Sequence, residues 1–148
     1  MNAPVSPSGR VWPEDDPCAG GLHAQWYAAN VAAAALTIQR CGECREWRQP
    51  ARYRCARCHS AEWSFEPVGP NGLLVERTIT RRALHPSFAE VVPYAIGVIA
   101  LDAGPRLFSI VRTEDPMGLR PGDALTMAVN GYGVPYASPA SAATSAGQ

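Results

Sequence analysis

The chain has 148 residues, 47% of them hydrophobic, and its thirteen basic and thirteen acidic side chains cancel to a formal net charge of zero. That length holds one ordinary domain, or a small metal module beside a compact core, and the composition excludes wholesale disorder. A neutral chain has no overall electrostatic reason to bind nucleic acid or an anionic membrane, and no apolar run approaches the ~20 residues that a membrane span needs.

Residues 1–22 contain Pro4, Pro7, Pro13 and Pro17 with several glycines, which predicts an extended N-terminal segment. The first twenty residues have neither a basic nor an apolar signal region, so no secretory leader is expected. Cys18 stands apart from the other cysteines and reads as a spare thiol. From 23 to 39 the chain turns Ala-rich and free of Gly and Pro, with Trp26, Tyr27, Val31, Leu36 and Ile38. This predicts a helix, although Leu36 to Gln39 equally suit the start of a strand. A helix so poor in charge must cover its apolar side with the next module, the core or another protein.

Residues 40–60 carry Cys41-Gly42-Glu43-Cys44 and Cys55-Ala56-Arg57-Cys58. Each CxxC is a tight turn that offers two sulfurs to one metal, and the short hairpin between them delivers the second pair. Cys41, Cys44, Cys55 and Cys58 would fill all four positions of a tetrahedral shell. No position is then left for water or substrate, which predicts a structural ion. Zinc is favoured, and a single redox iron of the rubredoxin kind suits the same donors. Paired cysteines of this type, with no secretory leader expected, indicate a reduced, cytoplasmic setting. Every basic residue of the chain is arginine, and six of them (Arg40, Arg45, Arg48, Arg52, Arg54, Arg57) crowd this module against Glu43 and Glu46.

Residues 61–136 break into short strand-like runs: 61–68, 72–80, 91–101, 106–113 and 124–129. Turn sequences such as Gly69-Pro70-Asn71-Gly72 and Asp102-Ala103-Gly104-Pro105 punctuate them, which predicts a small five-stranded antiparallel barrel or sandwich. Residues 137–148 are only Ala, Ser, Thr, Gly, Pro and Gln and read as a disordered tail.

The order and its particular residues resemble the acyl-CoA-associated zinc-ribbon/OB-fold family, domain of unknown function 35, over roughly residues 24–130. The resemblance rests on Trp26, on Leu36 to Arg40 running straight into the first CxxC, and on Pro50 before the second. It continues through Ser60, Trp63, Gly72 to Thr78, Phe88, Pro93-Tyr94, Ile96 to Asp102, Gly104, Arg106 and Gly122. The family usually places Gly directly after each CxxC, where this chain has Arg45 and His59. Each knuckle thereby loses a residue that adopts positive φ cheaply.

The resemblance implies a mainly β fold: an N-terminal helix, a rubredoxin-like four-Cys zinc ribbon and a five-stranded OB-fold barrel. It also implies a non-catalytic accessory subunit. Such a subunit docks on a thiolase-type enzyme, or on a lipid-transfer-protein-like aldolase that shortens CoA-activated steroid side chains, and helps hold the acyl-CoA. The chain would then be a required partner of an acyl-CoA carbon–carbon lyase or acyltransferase, with no activity alone. Trp26, Tyr27 and Trp47 are the candidate docking anchors, because large aromatics dominate interface energetics.

The residues themselves give catalysis little footing. Histidines occur only at 23, 59 and 85, and no HExxH, Ser elbow or phosphate-binding Gly loop is present. For CoA phosphates, arginine forks are the natural recognition group. Arg81, Arg82 and Arg112 are the candidates, with Phe88 and Tyr94 as aromatic cover. A single-stranded nucleic-acid-binding ribbon/OB module is the alternative reading, kept open by the local arginine cluster. A rubredoxin-like electron carrier is a third reading, which leaves the barrel unexplained.

Overall fold

Helix α1 spans Gly21–Ala33 in the computed structural model, which describes residues 10–140. It is shorter than the expected 23–39. Ala34 leaves the helix in the left-handed region, and Asn30 then redirects the chain. The Asn30 Oδ1 accepts hydrogen bonds from the Thr37 amide at 2.8 Å and the Thr37 hydroxyl at 2.7 Å. These bonds offer the backbone an alternative to further helix, and the strand begins at Thr37.

Strand β1 (Thr37–Cys41) is the middle of a three-stranded antiparallel sheet, between β2 (Trp47–Arg48) and β3 (Trp63–Pro67). Four of its five residues are buried, so it is covered on both faces. The run 61–68, expected as the first barrel strand, is instead β3 of this sheet. Cys41 pairs with Trp63 and Thr37 with Pro67, a register that places the first metal ligand and the β3 aromatics side by side.

Five later strands close a barrel in the order β4-β5-β6-β8-β7: β4 (Asn71–Thr80), β5 (Tyr94–Leu101), β6 (Arg106–Val111), β7 (Ala124–Val129) and β8 (Pro135–Pro139). The fifth strand lies partly in the segment expected to be a disordered tail, and the structure corrects that reading for residues 137–140. β8 pairs antiparallel with β7 and parallel with β6, and its central Ala137 is fully buried. Strand closure here depends on a small residue and on partners distant in sequence, not on local apolar content. The rest of the expected tail, 141–148, lies outside the described residues, as do residues 1–9 of the expected N-terminal segment. Among the described residues no helix is long and apolar enough to cross a membrane.

Helix, ribbon and barrel share one core. Trp26, Leu36 and Ile38 pack in the same cluster as Leu74, Ile99 and Leu125. The Asn30 Nδ2 donates to the Gly133 carbonyl at 2.9 Å, so one buried amide touches helix, ribbon strand and barrel loop. Gly133 has φ +83°, and a Cβ there would run into the Tyr27 carbonyl, so only glycine permits this approach. A second, smaller cluster forms outside the barrel, where Trp12 is buried against Val91 and Tyr94.

Candidate metal centre

The two knuckles are built alike. In the first, the Cys41 amide donates to the Glu46 carbonyl at 2.9 Å; in the second, the Cys55 amide donates to the Ser60 carbonyl at 3.0 Å. Amides within each turn also point at sulfur: Glu43 N–H at 3.5 Å from Cys41 Sγ, and Arg57 N–H at 3.4 Å from Cys55 Sγ. The four sulfurs of Cys41, Cys44, Cys55 and Cys58 lie within 4.8 Å of one another. Across the knuckles, Cys41 to Cys58 is 3.5 Å and Cys44 to Cys55 is 3.6 Å. Thiolates about 2.3 Å from a tetrahedral zinc sit roughly 3.8 Å apart. The donor set therefore fits a four-thiolate ion.

The sulfurs differ electrostatically. Burial pushes the Cys41 thiol up, but the amides of Glu43 and Cys44 together with the Arg48 guanidinium outweigh it and bring it down to about 5. At Cys55 the Cys58 and Arg57 amides lower the pKa against burial. At Cys44 the Glu46 amide lowers it, while burial and the other three sulfurs outweigh that and push it up to about 12. Each knuckle thus has one sulfur prepared to be anionic, and a bound cation is what favours the thiolate at Cys44, whose pKa is raised.

Arg45 and His59, which stand where the family usually has Gly, both adopt φ +64°. The ribbon keeps the left-handed turn and accepts a side chain there, which costs roughly 1 kcal/mol at each site. Replacing the exposed His59 with Gly is expected to stabilise the protein by about 0.5–1 kcal/mol once the freer unfolded chain is allowed for. A thermal melt of the loaded protein checks this; a lowered midpoint would contradict it.

Behind the knuckles, the Gln39 side chain, 1% exposed, clamps the backbone of Arg52: Oε1 accepts from its amide at 2.7 Å and Nε2 donates to its carbonyl at 2.9 Å. Arg48 is also buried beneath the ribbon. The remaining ribbon arginines are largely exposed and leave a basic rim. Arg40 stacks its guanidinium 4.4 Å over the half-buried Trp47 ring, Arg45 pairs with Glu66 at 2.9 Å, and Arg57 with Glu46 at 3.1 Å.

The other candidate residues divide. Trp26, expected as a docking anchor, is 8% exposed, and its Nε1 donates to the Thr37 carbonyl at 2.6 Å. It sits in the core because its indole has to satisfy the first carbonyl of β1. Tyr27 stacks on it at 5.5 Å and stays half-buried, with burial raising its phenol pKa. Phe88, Tyr94 and Arg112 converge on one side of the barrel. Phe88 and Arg112 line a cavity of about 270 Å³, and the Tyr94 ring lies 5.4 Å from that of Phe88. Arg81 is not there: it reaches the Met117 sulfur at 3.7 Å. Arg82 is exposed and does not line that cavity either.

The same cavity holds what sequence reasoning missed. Residues Arg10–Pro17 lie over it as a strap. Trp12 packs edge-on to Tyr94 at 6.5 Å, Arg10 donates to the carbonyls of Val91 and Pro93, and Glu14 pairs with Arg112 at 3.4 Å. Arg112 in turn stacks 3.6 Å from the Tyr136 ring. A lone tryptophan in an otherwise polar, Pro-rich segment was the available signal.

Comparison with known proteins agrees with this architecture. Residues 32–64 match the family model of the ChsH2 rubredoxin-like zinc ribbon domain, and residues 65–130 match that of the ChsH2 C-terminal OB-fold domain. A solved structure titled Ltp2-ChsH2(DUF35) aldolase superposes with a TM-score of 0.72 at 23% identity, covering 84% of this chain and 98% of that one. A DUF35-family protein of unknown function from Sulfolobus solfataricus superposes at 0.53 and 12% identity, covering 83% and 88%. Among curated proteins, a "Probable enoyl-CoA hydratase alpha subunit" of Thermomonospora curvata is 29% identical over 85 residues, which is 57% of this chain. The chain spans only 26% of that relative's length. A four-cysteine ribbon joined to a closed five-stranded barrel, matched in succession by both family models, makes the chain a member of the ChsH2 (DUF35) zinc-ribbon/OB-fold family.

Proposed function

We propose that the protein is a non-catalytic, cytoplasmic accessory subunit that docks on a thiolase-type or aldolase-type enzyme and helps hold its acyl-CoA substrate. The observation that carries this reading is the likeness, over nearly the full length of that chain, to the ChsH2-type structure titled as an aldolase with Ltp2. The four cysteines hold a structural zinc, whose chemistry is to fix the two knuckles; Cys41, Cys44, Cys55 and Cys58 are its ligands.

The surface supports docking at the helix–ribbon end. Helix α1 contains no Asp, Glu, Lys or Arg, and its Val31 is 50% exposed. In the ribbon, Tyr53 is 65% exposed, and half-buried Tyr27 and Trp47 flank the same end. Residues of this kind favour a protein partner over water. On the barrel, Arg112 and Phe88 line the cavity and offer a guanidinium and aromatic cover for part of the thioester, with Tyr94 buried behind Phe88 as packing and Glu14 as the internal anion that must yield the arginine.

The test is a pull-down with the tagged full chain from its host, followed by a CoA-thioester cleavage assay with and without the protein. A thiolase- or aldolase-type enzyme is expected to co-purify and to lose most of its cleavage when the chain is left out. Turnover by the isolated chain, or salt-sensitive retention of single-stranded DNA at submicromolar protein with no enzyme partner, would overturn the reading.

A further inference from the structure

Arg48 is the one buried cation of the ribbon. It is 4% exposed, and none of the ion pairs found among the described residues includes it. Both terminal nitrogens donate to backbone: Nη1 to the Arg52 carbonyl at 3.0 Å, and Nη2 to those of Ser60 and Glu62 at 3.1 Å each. Those three carbonyls come from the chain just before and just after the second knuckle. The Nε is different. Among the described residues it is the only buried side-chain nitrogen or oxygen without a hydrogen-bond partner.

An arginine taken out of water with neither a carboxylate nor a full set of acceptors is strongly disfavoured, and such a group needs an explanation. The neighbouring chemistry supplies one. Arg48 lies opposite Gln39 in the β1–β2 register, Gln39 being two residues before Cys41; it lines the same pocket as Cys55, and its guanidinium helps lower the Cys41 pKa. Four thiolates around a divalent ion carry a net charge of minus two, and no exposed arginine of the rim can neutralise it from inside. The buried guanidinium is placed to do so.

We infer that Arg48 is the internal counter-cation of the loaded cage, with its Nε–H reserved for a cage sulfur, and so acts as a positioning residue that raises metal affinity. The inference rests on the reading that the four cysteines hold a divalent metal. It goes beyond that reading by assigning a role to a residue that contributes no ligand atom. It also separates Arg48 from the other ribbon arginines, whose charge is solvated.

The experiment compares wild-type full-length protein with Arg48→Gln and Arg48→Lys. Zinc affinity is measured by chelator competition, and the sulfur-to-cobalt charge-transfer band is recorded for the cobalt-loaded proteins. Loss of an outer-shell partner typically costs about 10–100-fold in metal affinity, and Arg48→Gln is expected to fall in that range. Arg48→Lys keeps the charge and is expected to lose less. In both variants the charge-transfer band should move to lower energy, because a sulfur that no longer accepts a hydrogen bond releases its electrons more easily. A role confined to tying the three carbonyls would leave that band in place.

Should Arg48→Gln fail to fold, the wild-type protein still decides. In the cadmium-loaded form the Arg48 Nε–H is expected to exchange slowly with solvent and to show scalar coupling to the metal. A folded Arg48→Gln with unchanged affinity and unchanged band, or a rapidly exchanging Nε–H in the wild type, overturns the inference alone. Wild-type protein that takes up no metal overturns the metal reading and the inference together.

Discussion

Stripping the ion from the purified chain with a strong chelator, or replacing Cys55 with Ser, is expected to unfold the ribbon and abolish partner binding. The reason is thermodynamic. In small four-ligand modules the metal's binding free energy, on the order of 10 kcal/mol, is also the folding free energy. The ribbon sheet here is small: β2 has two residues, and β1 and β3 have five each. Its two knuckles are joined through the sulfurs and through loop carbonyls held by Gln39 and Arg48. Elemental analysis should give one ion per chain, and a melt followed by tryptophan fluorescence should show a large drop in midpoint on chelation, because Trp47 and Trp63 report on the ribbon. A chelated protein that melts as before and still captures its partner would remove the metal from the scaffold.

Asn30→Ala is expected to cost about 3–4 kcal/mol, a large part of the total stability of a domain this size. The side chain is fully buried and makes three hydrogen bonds, to the Thr37 amide, the Thr37 hydroxyl and the Gly133 carbonyl. Alanine leaves all three groups buried without a partner, at about 1–3 kcal/mol for a typical unsatisfied group. Thr37→Val removes only the hydroxyl bond and is expected to cost about 1 kcal/mol. Urea denaturation measures both. A loss below about 1 kcal/mol for Asn30→Ala would mean that water or a rearranged turn takes over the three groups.

The metal site was legible because its signal is local: two CxxC turns with a short spacer constrain four sulfurs whatever the rest of the chain does. Four of the five barrel strands were legible for a similar reason, since turn residues separate apolar runs; the expected total of five came out only because the ribbon strand at 61–68 stood in for the missed β8. Which runs belong to the barrel was not legible. Trp63 to Pro67 alternates like a barrel strand, yet it pairs with β1, because register is set by partners rather than by pattern. Pro135 to Pro139 carries two prolines and a single β-favouring residue, Tyr136, and it is a strand because β6 and β7 both pair with it, with Ala137 buried where the two pairings meet. Trp26 shows the same limit for sites. An aromatic in an uncharged helix looks like an anchor until the structure shows its indole bound to the Thr37 carbonyl. Arg45 and His59 were legible as departures, and their positive φ shows that the backbone kept the turn while the residue changed.

The two-sided burial of β1 has an evolutionary consequence. A strand with Thr37, Ile38 and Gln39 hidden from both directions has no surface along which the metal module can be cut away. Shuffling between genes is therefore expected to move helix, ribbon and barrel as a single cassette, together with the strap that packs Trp12 against Val91 and Tyr94.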